Sequence, residues 1–151
     1  MTSPSASREI RPLRAADTPR VTGLLAELGY PGELAAVTRR LAAVLRSDTQ
    51  RVLVAAPGDG SRIDGYVSVE RRQALPHQDE TLEITGLVVV AAARRSGAGR
   101  ALVEAAERWA VRQGLRTIVV RSNVVRAESH PFYEDAGYRR KSTSHTYRKE
   151  I

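Results

Sequence analysis

Between Leu87 and Ala110 the sequence LVVVAAARRSGAGRALVEAAERWA passes from an apolar β-branched run, through two arginines and two glycines, into an amphipathic helical pattern. This junction narrows the possible folds more than any other stretch. TLEITGLVVV, residues 81–90, alternates and then becomes continuously apolar, as a strand does when both of its faces are covered, which places it centrally in a sheet. In GRALVEAAERWAVRQG, Leu102, Val103, Ala106, Trp109 and Ala110 share one side of a helix that Gly114 ends. LRTIVVRSN then reads as another strand. Residues 81–123 therefore make a strand, a right-handed crossover helix and a parallel strand.

The flanking segments supply an antiparallel remainder. REIRPLRAAD alternates at Ile10 and Leu13 and predicts a first strand, with Asp17 as the N-cap of a helix that has Pro19 in its first turn and Gly29 at its end. After YPGE, residues Leu34, Val37, Leu41, Val44 and Leu45 recur at helical spacing. QRVLVAA and GYVSVERR read as a hairpin joined by PGDGSRIDG, with Tyr66, Val67 and Val69 in the returning strand. SHPFYEDAGY predicts a short helix stopped by Gly137, and YRRKSTSHTYRKE two short antiparallel strands. The predicted order is β-α-α-β-β-β-α-β-α-β-β, a mixed α/β arrangement without internal repeats.

Composition excludes several function classes. The chain has 151 residues, 42% of them hydrophobic, which suits one core and a single domain over residues 1–151 with a frayed stretch at 1–6. It has no cysteine, so disulfides, thiolate metal sites and a cysteine nucleophile are ruled out. No pair of histidines has metal-ligand spacing, and no metal is expected. No apolar run approaches the ~20 residues needed to cross a bilayer, and MTSPSASREI lacks a hydrophobic signal core, so a cytoplasmic protein without membrane contact is expected. The net charge of +7 suits a polyanionic ligand. Its basic residues, arginines except for Lys141 and Lys149, are dispersed and not interleaved with aromatics, which argues against nucleic acid.

At ARRSGAGRA a P-loop fails, because Gly99 is followed by Arg100 and Ala101 where Lys and Ser or Thr are required. A dinucleotide-binding turn has only two of its three glycines, Gly97 and Gly99. What the segment does offer is a run of backbone N–H groups from Arg95 to Ala101 just ahead of a helix, where the macrodipole favours an anion such as a pyrophosphate. Gly97 and Gly99 permit close approach, and Arg94, Arg95 or Arg100 can pair with phosphate. The alternative is an ordinary strand-to-helix turn.

Two linked motifs carry a family resemblance. L-x-V-x-x-x-x-R-x-x-G-x-G, at Leu87, Val89, Arg94, Gly97 and Gly99, resembles the acyl-CoA signature of the GNAT superfamily of N-acyltransferases. N-x-x-R-x-x-x-H-x-F-Y-E-x-x-G-Y, Asn123 to Tyr138, resembles its C-terminal companion. The longer form of that companion is similar to bacterial members, some of them like aminoglycoside 6'-N-acetyltransferases. The resemblance implies a mostly antiparallel sheet with a central splayed parallel strand pair and helices on both faces, over residues 7–150. Ala91 departs from the proline common at that place, and the Asn123 to Tyr133 interval is longer than in many members.

The implied cofactor is acetyl-CoA, with pantetheine along Leu87, Val88 and Val89, and the pyrophosphate on the N–H groups of Arg95, Ser96, Gly97, Ala98, Gly99, Arg100 and Ala101. Asn123 bonds the cofactor amide or the adjacent strand; Arg126 contacts phosphate or solvent. The implied reaction is acetyl transfer to a primary amine by direct attack in a ternary complex. Tyr133 matches the family's general acid, its alternative being a packed aromatic. Glu83 is the implied proton acceptor, its alternative a salt-bridged strand residue; His77, His130 and His145 are other bases. Tyr30, His77, Gln78, Asp79 and Glu80 are candidate acceptor lining, the acidic ones with Glu83 favouring a cationic amine. The acceptor is a small-molecule amine or a protein or peptide amine. A homodimer through the C-terminal strands, with Tyr138 and Tyr147, also follows from the resemblance. The rival reading is a catalytically silent acyl-CoA-binding sensor.

Overall fold

The computed structural model describes residues 7–27, 29–76, 79–121 and 129–151, so the expected frayed stretch at 1–6 lies outside the described residues. The chain divides into two compact units, Met1–Val120 and Arg121–Ile151.

The first unit is a five-stranded sheet with helices on both faces. Its strands are β1 (Arg8–Pro12), β2 (Gln50–Pro57), β3 (Gly65–Arg72), β4 (Thr81–Val89) and β5 (Ile118–Val120), in that spatial order. The first three pairings are antiparallel and β4–β5 is parallel. The helices are α1 (Thr18–Glu27), α2 (Leu34–Arg46) and α3 (Ala98–Arg112). The period of two in β2 sends Leu53 and Ala55 toward the α3 side and Val52 and Val54 toward the other. On the first side Val67, Val69, Leu82 and Ile84 pack against Leu102, Ala106, Trp109 and Ala110 of α3. On the second, Val54 and Ile63 pack against Val21, Leu24, Val37 and Leu41 of α1 and α2. Of the predicted α2 stripe only Val37 and Leu41 are buried, because Leu34 and Leu45 lie at the helix ends, where the sheet no longer covers them.

Asp17 is not the N-cap of α1. It closes a 3-10 turn, Ala15–Asp17, that precedes the helix. Its carboxylate accepts both Arg11 guanidinium N–H groups at 2.8 Å and the Arg14 N–H at 2.8 Å. The Arg11 bond holds the carboxyl below its usual range against the opposing effect of burial.

β4 is an interior strand between β3 and β5, and the parallel β4–β5 pair gives the mixed sheet that was expected. One further expectation is corrected. Residues 139–151 contain no strand: the segment RRKSTSHTYRKEI is exposed throughout and has no alternating apolar set to bury. Among the described residues no helix is long and apolar enough to cross a membrane.

In the second unit α4 (Ser129–Asp135) is ended by Gly137 at φ 93°, and the Tyr138 N–H donates to the Tyr133 carbonyl at 3.0 Å.

Candidate functional site

β4 reaches the junction through a bulge. Ser68 pairs with Gly86 while Val69 pairs with Ile84, which leaves Thr85 as the extra residue. The Thr85 hydroxyl donates to Ser68 Oγ at 2.9 Å. Two glycines let the strands close. A Cβ at Gly86 would lie 2.8 Å from Ser68 Oγ, and one at Gly65 would strike the Val88 carbonyl. β4 pairs with β5 only over Leu82–Ile84, so among the described residues Leu87–Val89 has a strand neighbour on its β3 side alone.

Beyond Val89 a 3-10 turn, Ala91–Ala93, leads into Arg94–Gly97. Arg94 Nε donates to the Val89 carbonyl at 3.2 Å, so this predicted phosphate ligand also fastens the end of β4. Arg95 at φ 61° and Gly97 at φ 86° are both left-handed, and Gly97 is the N-cap of α3 without a side-chain cap. The N–H groups of the first turn, from Ala98 onward, therefore point out of the helix start without a capping side chain, while Ala101 N–H already donates to the Gly97 carbonyl at 3.0 Å. Arg100 leans on Glu104, Nε to Oε1 at 3.2 Å. The predicted residues from Leu87 to Ala101 thus lie on one continuous strand, turn and helix start.

Glu83 points to the face opposite α3, since its neighbours Leu82 and Ile84 belong to the α3 side. It is buried and pairs with Arg72, Nε to Oε2 at 2.9 Å, and Arg72 also approaches Glu70 at 3.5 Å. Tyr66 and Ser68 share that face with Glu83 and Thr85. Burial, and secondarily Tyr30, push the Tyr66 phenol above its ordinary range. The predicted Tyr30 is exposed.

Asp79 and Glu80 are elsewhere. Glu80 accepts from Arg71 Nε at 3.0 Å, and Arg71 Nη1 donates to Gln113 Oε1 at 3.3 Å. Together with Asp79 and Arg116 these residues line a cavity of about 290 Å³ at the C-terminal end of α3, away from the turn. The expected acidic group of Asp79, Glu80 and Glu83 is therefore divided between the two faces of the sheet, because Arg71 and Arg72, adjacent in β3, point opposite ways.

In the second unit Tyr133 is half-buried on α4, edge-on to Phe132 (centroids 5.2 Å apart) and to Tyr138 (5.9 Å). His130 lies on the same helix and His145 in the exposed tail. Asn123, Arg126, His77 and Gln78 lie outside the described residues.

Residue types alone did not single out Arg8, Arg72, Tyr66, Ser68 or Thr85. The available signals were Gly86 inside a strand, which marks a bulge, and Tyr66 and Ser68 alternating with core valines.

A sequence profile of the acetyltransferase (GNAT) family matches residues 19–138. Among similar solved structures is the aminoglycoside N-acetyltransferase AAC(6')-Iy in complex with CoA, at 16% identity, 100% coverage of both chains and a TM-score of 0.86. Another is glucosamine-6-phosphate N-acetyltransferase from Arabidopsis thaliana, at 21% identity, 95% of this chain, 99% of that one and a TM-score of 0.81. A third is the aminoglycoside 6'-N-acetyltransferase AAC(6')-Ih from Acinetobacter baumannii, at 17% identity, 96% and 99% coverage and a TM-score of 0.80. At these identities the likeness speaks for the fold. No curated protein matches the chain in sequence.

Proposed function

Because the chain belongs to the acetyltransferase (GNAT) family and is an acetyl-CoA-dependent acetyltransferase, we propose that its acceptor is a small-molecule primary amine, acetylated by direct attack in a ternary complex. One observation carries the reading: a bulged β4 delivers the chain through two left-handed residues to the uncapped start of α3. That arrangement fits a pyrophosphate, because N–H groups, helix dipole and the Arg94 and Arg95 charges all favour an anion there. Main-chain groups of Leu87, Val88 and Val89 would hold pantetheine, as a strand added beside β4. Asn123 and Arg126 enter as cofactor contacts on their motif alone.

Acetyl-CoA brings the acetyl group as a thioester. The acceptor must reach it as a neutral amine, although alkylamines are mostly protonated near pH 7. Glu83 is the proposed proton acceptor, directly or through water, with Arg72 fixing its orientation. The Val88 N–H is the proposed oxyanion donor, and the Tyr133 phenol gives its proton to the departing sulfur. The reading requires both units to serve one acyltransferase domain. It also fits a cytoplasmic protein, where acetyl-CoA is at hand. Tyr66, Ser68 and Thr85 present hydroxyls on the Glu83 face, which suits a hydroxylated amine. The similar enzymes named for aminoglycosides and glucosamine 6-phosphate make such amines the first to screen.

The test is calorimetric titration with acetyl-CoA, desulfo-CoA and ATP, using the wild type and a Gly97→Glu, Gly99→Glu double variant, followed by an amine screen that reads thiol release. The expected result is binding of both CoA species, none of ATP, and loss in the variant. Binding without turnover on any amine would favour the silent sensor. No heat with a folded wild type would remove the cofactor site.

A further inference from the structure

We infer that Arg8, on the first strand, is a positioning residue for the cofactor's pyrophosphate and acts through Ser96; this rests on reading the Arg94–Gly97 turn as the pyrophosphate site. The Arg8 guanidinium donates through Nη1 to the Ser96 carbonyl at 3.1 Å and through Nη2 to Ser96 Oγ at 2.6 Å. The Ser96 hydroxyl in turn donates to the Ala93 carbonyl. Ser96 sits between Arg95 and Gly97, the two left-handed residues that aim the turn's N–H groups. A non-glycine residue such as Arg95 adopts that conformation only against a steric cost, so the turn needs an outside tether to stay in it.

Arg8 supplies the tether from across the sheet, 88 residues away in sequence, with two bonds of the charge-assisted kind. β1 is itself fixed by five register pairs with β2, so the guanidinium is presented from a rigid strand. Arg8 Nη1 also lies 3.8 Å from where a Gly97 side chain would begin, which keeps its charge beside the α3 start while Nη1 and Nη2 each give one bond to Ser96. Its role is to hold the cradle in its binding shape before the cofactor arrives, which lowers the ordering cost of binding.

The experiment uses the full chain and the variants Arg8→Ala, Arg8→Lys and Ser96→Ala. Amide hydrogen exchange is read at residues 94–97 without cofactor, and binding of CoA and dephospho-CoA by calorimetry. Arg8→Ala should speed exchange in the turn and weaken CoA and dephospho-CoA alike, by about tenfold, the scale of one charge-assisted hydrogen bond. Its kcat at saturating acetyl-CoA should stay unchanged. Ser96→Ala, which keeps the carbonyl bond, and Arg8→Lys, whose shorter chain and single ammonium nitrogen do not reproduce the planar two-nitrogen fork, should each fall between. Unchanged exchange in Arg8→Ala overturns the assignment. So does full recovery in Arg8→Lys, which would leave only a charge effect, or a loss confined to CoA, which would make Arg8 a direct ligand of the 3'-phosphate. A wild type that binds no CoA sinks the cofactor reading together with this one, whereas a failure confined to Arg8→Ala sinks this one alone.

Discussion

Two glycine-to-alanine substitutions should move stability in opposite directions, and the difference tests how β4 is held. A Cβ at Gly65 would strike the Val88 carbonyl and lie 3.2 Å from Val89 Cα, both of them backbone atoms. They cannot withdraw freely, since the Val90 N–H donates to the Asp64 carbonyl at 2.8 Å just beyond the contact. Overpacking of this kind costs about 1–3 kcal/mol. Reduced freedom of the unfolded chain offsets roughly 0.4–1 kcal/mol of that. Gly65→Ala should therefore lose about 1–2 kcal/mol, a fall in Tm of roughly 2–8 °C for a chain of this size. Gly23, inside α1, has nothing within 4 Å of its added Cβ. Gly23→Ala should gain up to about 1 kcal/mol from helix propensity and raise Tm by roughly 2–4 °C. Thermal unfolding followed by circular dichroism, with and without CoA, reads both. Since Gly65 presses on Val88 and Val89, its variant should also bind CoA more weakly, while Gly23→Ala should not. A Gly65→Ala protein as stable as the wild type, with full CoA affinity, would refute the claim that close β3–β4 contact shapes the cofactor strand.

Asp17→Asn should destabilise by about 3–5 kcal/mol near neutral pH, because the buried Arg11 loses its counter-charge. The folded carboxyl lies below its unfolded value of 3.8, so its stabilisation is complete above that value and lost as pH falls through the folded one; the gap between wild type and variant in urea titrations should close below about pH 4. Leu102→Ala, at a position with no exposed surface, should cost about 2–5 kcal/mol, read from the shift in denaturation midpoint. Tyr133→Phe should reduce turnover tenfold or more and leave the calorimetric CoA affinity unchanged, and equal turnover would remove its role as acid. Glu83→Gln should lower kcat/KM for the amine most where the acceptor is largely protonated, so a pH profile parallel to that of the wild type would count against a base at that position.

The sequence made the α3 unit legible because every local signal agreed there: Leu102, Val103, Ala106, Trp109 and Ala110 share a helical face, and all five are buried. The turn was equally legible, since Gly97 in a left-handed N-cap is what its residue type foretells. The C-terminal hairpin failed for the converse reason. Residues 139–151 alternate weakly and offer no apolar face, so nothing local held them to a strand. The division of the acidic residues follows from the period of two, since Glu80 and Glu83 lie three apart; what stayed hidden was that Arg71 and Arg72 of another strand would pair with them, and that a bulge at Thr85 would reset the alternation further along β4. Pairing register is a property of two segments, and it cannot be read from either one alone. Arg8 illustrates the same limit at the cofactor turn: an exposed arginine in β1 looks like any other of the dispersed positive charges until the fold brings Ser96 to it. The residues proposed to cradle a phosphate were therefore readable, while the Arg8 contact to their turn required the sheet.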